Sequence, residues 1–165
     1  MNRRVVVFAI ALMVLGRFTL TGRHAAMNTV FTKAQAEAGR TAYENSCGKC
    51  HTLTLLGRKS VEDGLPPVDS LPASYQEFIR KSKHVPPLAG QEFLNRWGQK
   101  TVAQLIARFQ VTASDPSFQF QDMNDEAVVN ITAYALQASG AKSGNEPLTR
   151  TNEAVVNSLI PSVRR

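Results

Sequence analysis

Cysteine is scarce in this chain of 165 residues: there are two, Cys47 and Cys50, and both lie in one short motif. A framework of several disulfides, the usual support of small secreted domains, is therefore excluded. Long hydrophobic runs are missing as well. The longest, Val5 to Leu15, falls well short of the ~20 residues that span a bilayer as a helix, and Arg17 and Arg23 close it off. No segment alternates apolar and polar residues convincingly with period two, so no sheet is expected. No phosphate loop, nucleophile with its base or catalytic carboxylates can be picked out, so nothing marks the chain as an enzyme by itself.

Charge of one sign is also scarcer than it looks. The first 26 residues hold four of the 19 lysines and arginines and none of the 13 acids, which leaves 15 bases against 13 acids, a net of +2 in place of +6. Without a stripe of interleaved aromatic and basic residues, this balance gives no case for nucleic-acid binding. The hydrophobic fraction of 43% suits one globular domain of ordinary size. Arg3 and Arg4, the apolar run, Arg17 and then Ala25 and Ala26 make the three-part layout of a secretory signal peptide over residues 1–26, with a cut expected near Ala25 or Ala26. The mature chain is expected in the periplasm. A retained anchor is the lesser alternative, and peripheral association with a membrane is compatible with the sequence.

What the chain does contain is Cys47-Gly48-Lys49-Cys50-His51, the C-x-x-C-H pattern of c-type haem attachment. Two thiols one helical turn apart can bond to the two vinyl groups of one porphyrin, and the adjacent imidazole can then reach the iron from one face. The competing readings are a thioredoxin-type dithiol, half of a zinc site and a structural disulfide. A dithiol of that type would follow a strand, whereas the residues before Cys47 read as helix. Zinc would need further ligands, and only His24 and His84 remain as histidines.

Helical signals dominate the rest, and the fold class expected is all-α. Thr32 and Gln35 form a capping box opening a helix through about Asn45. Thr101 and Gln104 open a second from Val102 to about Gln110, with Val102, Leu105, Ile106 and Phe109 on one side. A third starts at the cap Asn124, has Asp125 and Glu126 in its first turn, places Val128, Ile131, Tyr134 and Ala135 at helical spacing, and stops at Gly140. Residues 58–85 read as a long connection with Pro66, Pro67 and Pro72, broken by a short helix after a Ser74–Glu77 capping box. Its basic end, Arg80, Lys81 and Lys83, reads as a solvated face rather than a docking patch. The string Glu-Ala-Val-Val-Asn occurs at 126–130 and again at 153–157, too short an echo for a repeat protein.

From about Phe31 to Pro161 the chain resembles a class I c-type cytochrome. Gly39 and Tyr43, in the helix leading to Cys47, match positions that cross the last helix closely in that family, which would bring them to Tyr134. Pro86-Pro87-Leu88-Ala89-Gly90 resembles the family's P-x-L-x-G turn. The resemblance implies that the Pro86 carbonyl accepts a hydrogen bond from His51, that Leu88 covers the haem, and that Trp97 either donates to a haem propionate or simply packs. The segment Phe93 to Leu105 and the tail Gly144 to Ile160 look like small cytochromes associated with periplasmic quinoprotein dehydrogenases. The implied organisation is a cytochrome domain over 31–141 and a C-terminal extension over 142–165, helices packed around one covalent haem with long connecting loops.

One part departs from the family pattern. These cytochromes usually place a methionine in the loop before the last helix, near Ala113 or Asp115 by alignment, and residues 111–122 contain none. Met123 is the remaining candidate for the second axial ligand, although its position also suits packing; His84 is a weaker candidate. A Met and His pair implies an electron carrier, exchanging single electrons with a periplasmic dehydrogenase and another cytochrome or an oxidase, as a monomer or a subunit of a redox complex. An open iron face, with Asp115 near it, implies instead a gas-binding or peroxide-reducing haem protein.

Overall fold

The computed structural model describes residues 29–58, 69, 73–82, 84–116, 118, 120 and 123–161. The expected signal peptide, His24, Lys83 and most of the connection after Arg58 lie outside them. In chain order the elements are α1 (Lys33–Asn45), the single turn α2 (Gly48–His51), α3 (Ala73–Ser82), α4 (Gly90–Trp97), α5 (Val102–Ala113), α6 (Asp125–Ala138) and a 3-10 turn (Val156–Leu159). Among the described residues extended pairing is confined to isolated bridges, so the architecture is all-α. None of these helices is long and apolar enough to cross a membrane.

The caps decide where the three principal helices begin. Thr32 Oγ1 accepts from the Gln35 amide while Gln35 Oε1 accepts from the Thr32 amide, each at 3.2 Å. The Thr101–Gln104 box repeats this at 3.3 and 3.0 Å, and Asn124 Oδ1 accepts from Ala127 N at 2.8 Å. Such caps satisfy amides that the helix itself leaves without acceptors. At the far end of α6, Gly140 takes φ +104, the left-handed conformation that stops the helix.

Two boundaries and one whole helix differ from expectation. Helix α3 begins at Ala73, which puts Ser74 inside it and not at its cap. Arg80 and Lys81 on α3 are exposed and paired, to Asp69 at 2.8 Å and Glu77 at 2.6 Å. Helix α5 runs to Ala113, so Val111, Thr112 and Ala113 belong to its last turn and not to the loop before α6. Helix α4 has no side-chain cap, which left it without a start signal.

Packing of α1 on α6 forms the frame. Gly39 permits it: a Cβ there would stand 1.8 Å from the Asn130 carbonyl oxygen, so any side chain would force the helices apart. One turn on, the Tyr43 and Tyr134 rings meet at 5.5 Å, tilted by 58°. A larger core joins Phe31, Phe93, Leu105, Ile106, Val128 and Leu136, and a smaller one joins Tyr43, Leu55, Ala89, Ile131 and Ala135. Phe109 and Met123 pack against both.

The tail after residue 141 belongs to the same core. Leu148, Val156 and Leu159 are buried in it, and Gln35 grips the Leu148 backbone, accepting from its amide at 2.7 Å and donating to its carbonyl at 3.1 Å. Val102 N to Ala154 O at 2.9 Å and Val156 N to Lys100 O at 3.0 Å fasten it across the start of α5. Glu126 to Asn130 is helical in α6, whereas the identical string at 153–157 runs into the 3-10 turn. Tertiary context overrides local propensity there.

Candidate cofactor site

Helix α1 delivers the motif. At Ser46 the backbone leaves helical geometry, with φ −130° and ψ −92°, and α2 follows, its turn closed by His51 N donating to Cys47 O at 2.8 Å. Cys47, Cys50 and His51 stand at i, i+3 and i+4, which places them on one face of the turn. They line one cavity of about 300 Å³.

The imidazole is oriented from behind. His51 Nδ1 lies 2.7 Å from the Pro86 carbonyl oxygen. A carbonyl only accepts, so Nδ1 carries the proton and Nε2 keeps its lone pair for an electrophile or a metal. Burial lowers the His51 pKa to about 4, against a smaller opposing effect of the Pro86 hydrogen bond, so the ring is neutral near neutral pH. Pro86 is itself held on both sides: Arg58 and Val85 exchange backbone hydrogen bonds of 2.8 and 3.1 Å, and Leu88 N donates to Leu55 O at 2.7 Å. Burial also pushes the Tyr43 phenol upward, which keeps it a donor.

Burial pushes the Cys47 thiol up, with partial relief from Ser46. It pushes Cys50 up as well, with the Cys47 charge adding to the effect and Arg58 and Lys49 opposing it. Redox dithiols have lowered thiol pKa values, so the thioredoxin-type reading finds no electrostatic support. Zinc fares no better: among the described residues no group of three or more histidines, cysteines or acids could hold a metal ion. His84 is exposed and does not line the cavity.

The other residues singled out in the sequence reach the same space. Pro86, Leu88, Trp97 and Met123 all line the cavity, as do Ala113 and Asp115, the places where the family methionine was expected. Sequence reasoning missed Arg96 and Arg108, which also line it and are exposed. No salt bridge engages either among the described residues, whereas Arg40, Arg80 and Arg150 each pair with a carboxylate. A cation beside Trp97 and another beside Phe109 were the available signals.

The donor set fits haem c: two thiols and a neutral imidazole on one turn, a thioether from the residue before the α6 cap, apolar walls of Leu88, Phe109, Val128 and Ile131, and exposed guanidinium groups suited to an amphiphile's carboxylates. Compared with known proteins, the chain matches no family model, no curated protein and no solved structure.

Proposed function

We propose that this chain is an exported monohaem cytochrome of the class I fold. In this reading it carries single electrons between a periplasmic dehydrogenase and a downstream acceptor such as another cytochrome or an oxidase. The observation that carries the proposal is the His51 Nδ1 to Pro86 hydrogen bond of 2.7 Å, made on the turn whose two thiols line the same cavity as Met123. Haem c, when bound, supplies a one-electron iron couple. Cys47 and Cys50 would hold the group through thioether bonds, and His51 would present its ring nitrogen to the iron. Pro86 fixes the imidazole tautomer and raises its basicity as a ligand. Leu88 and Phe109 would keep water from the site, and Trp97, Arg96 and Arg108, which line the same cavity, would be available to the group's carboxylates.

The rival is a gas-binding or peroxide-reducing haem protein. It draws on the absence of methionine from residues 111–122 and on the packing of Met123 against both cores, which gives that side chain a structural task already. The visible spectrum of the dithionite-reduced, haem-loaded protein with and without carbon monoxide separates the two. An unchanged low-spin spectrum is expected for the carrier; a clear shift would transfer support to the rival. Lack of covalent haem after expression with the maturation machinery would overturn both.

A further inference from the structure

The connection from His51 to Gly57 is built from uncommon backbone. Thr52 takes φ 65° with ψ 157°, a region that β-branched residues rarely enter. Leu55 follows at φ 60° and Gly57 at φ 66°. At Gly57 the sequence meets the requirement, since a Cβ would also stand 2.3 Å from the Val85 carbonyl oxygen. At Thr52 and Leu55 it does not, so the surrounding structure must impose the conformation.

The imposing bonds converge on Thr52 and Leu55. The Thr52 carbonyl accepts from Tyr43 Oη at 2.6 Å and from Leu55 N at 3.2 Å. Gly57 N donates to His51 O at 3.2 Å, and Leu55 O accepts from Leu88 N at 2.7 Å. This connection therefore ties the histidine to the segment that carries Pro86, and its conformation sets where the imidazole stands relative to the carbonyl. Tyr43 is wholly buried at the α1–α6 crossing. Its ring fills that crossing, a task phenylalanine would do equally well. The hydroxyl adds one thing, a bond to the residue after His51.

We propose that Tyr43 is a positioning residue for the His51 imidazole: its hydroxyl holds Thr52 in its positive-φ conformation and so keeps Nδ1 on the Pro86 carbonyl. This rests on the reading of His51 as a haem ligand for its consequence, but the geometry concerns the chain alone. Loss of the hydroxyl lets the connection relax, weakens the Nδ1 hydrogen bond and makes the imidazole a poorer donor to oxidised iron.

The test compares wild type, Tyr43→Phe and Tyr43→Phe with Thr52→Gly, all as haem-loaded protein. Tyr43→Phe should move the His51 Nδ1 proton resonance upfield and raise the reduction potential, with the reduced-to-oxidised ratio at fixed ambient potential rising about threefold. Thr52→Gly in that background should restore both signals towards wild type, because glycine adopts the conformation without being held. An unchanged Nδ1 resonance and potential in a folded Tyr43→Phe protein would overturn the inference, as would a shift that Thr52→Gly leaves untouched. Failure of both variants to fold would assign the hydroxyl to the fold itself and overturn it too. If wild type carried no covalent haem, the functional reading would fall, while the ring 15N shifts of His51 would still report on the Tyr43 bond.

Discussion

The two sides of the cavity are built on different principles. The His51 side is positioned by backbone: a helical turn, the Arg58–Val85 pair and the Leu55–Leu88 bond place the ring and its carbonyl partner. On the Met123 side, α5 ends at Ala113, and the Phe118 and Phe120 rings stack at 5.6 Å before Met123 enters just ahead of the Asn124 cap. There, the side chains present decide what faces the cavity. A ligand held by backbone bonds tolerates surrounding substitutions, whereas one supplied by side-chain identity can be lost or moved by a single change. This contrast accounts for a motif that reads clearly in the sequence on one side and a second ligand that does not on the other.

The largest expected effect comes from removing the two thiols on the His51 side, which the proposed function makes the covalent hold on haem. Cys47→Ala together with Cys50→Ala should abolish covalently retained haem, measured as the intact mass and the absorbance left after acid–acetone extraction. Retention of haem through extraction would refute the role given to the thiols. Gly39→Ala should strike both sides at once, because the α1–α6 crossing sets their separation and the added methyl would overlap the Asn130 carbonyl. A loss of at least about 3 kcal/mol is expected in urea denaturation. A loss under about 1 kcal/mol would mean that the helices can part cheaply.

The parts legible in the sequence were those where local chemistry and tertiary structure agree. Thr32, Thr101 and Asn124 cap their helices as their spacing indicates, and C-x-x-C-H places its donors on one face whatever surrounds it. Helix α4 was missed because it follows Pro86 and Pro87 and opens at Gly90 with φ 79°, with no capping side chain to announce it. The tail reads as an extension because backbone hydrogen bonds to Lys100, Val102 and Ala103 hold it, and these leave no periodic pattern. Arg96 and Arg108 come from different helices, so only the tertiary fold brings them to one cavity.

Met123→Ala sharpens the contrast from the other side. If its thioether is the second axial ligand, the reduced variant should bind carbon monoxide with a large spectral change. Removing a partly buried side chain that touches both cores should also cost about 2 kcal/mol. Loss of stability without any change in the ferric or carbon monoxide spectra would leave Met123 a packing residue and move support to the open-face rival.

Asn124→Ala is the smallest change and the most discriminating. Its side-chain oxygen accepts from Ala127 N at 2.8 Å, so removing it should cost about 1 kcal/mol. The cap adjoins Met123, so fraying the first turn of α6 should loosen the Met123 side while the His51 side, fastened through Tyr43, Thr52 and Pro86, stays as it is. The expected result is faster carbon monoxide binding to reduced protein with an unchanged His51 Nδ1 resonance. If the resonance moved as much as the binding rate, the two sides would be mechanically coupled, and the division between a backbone-held ligand and a side-chain-supplied one would fail.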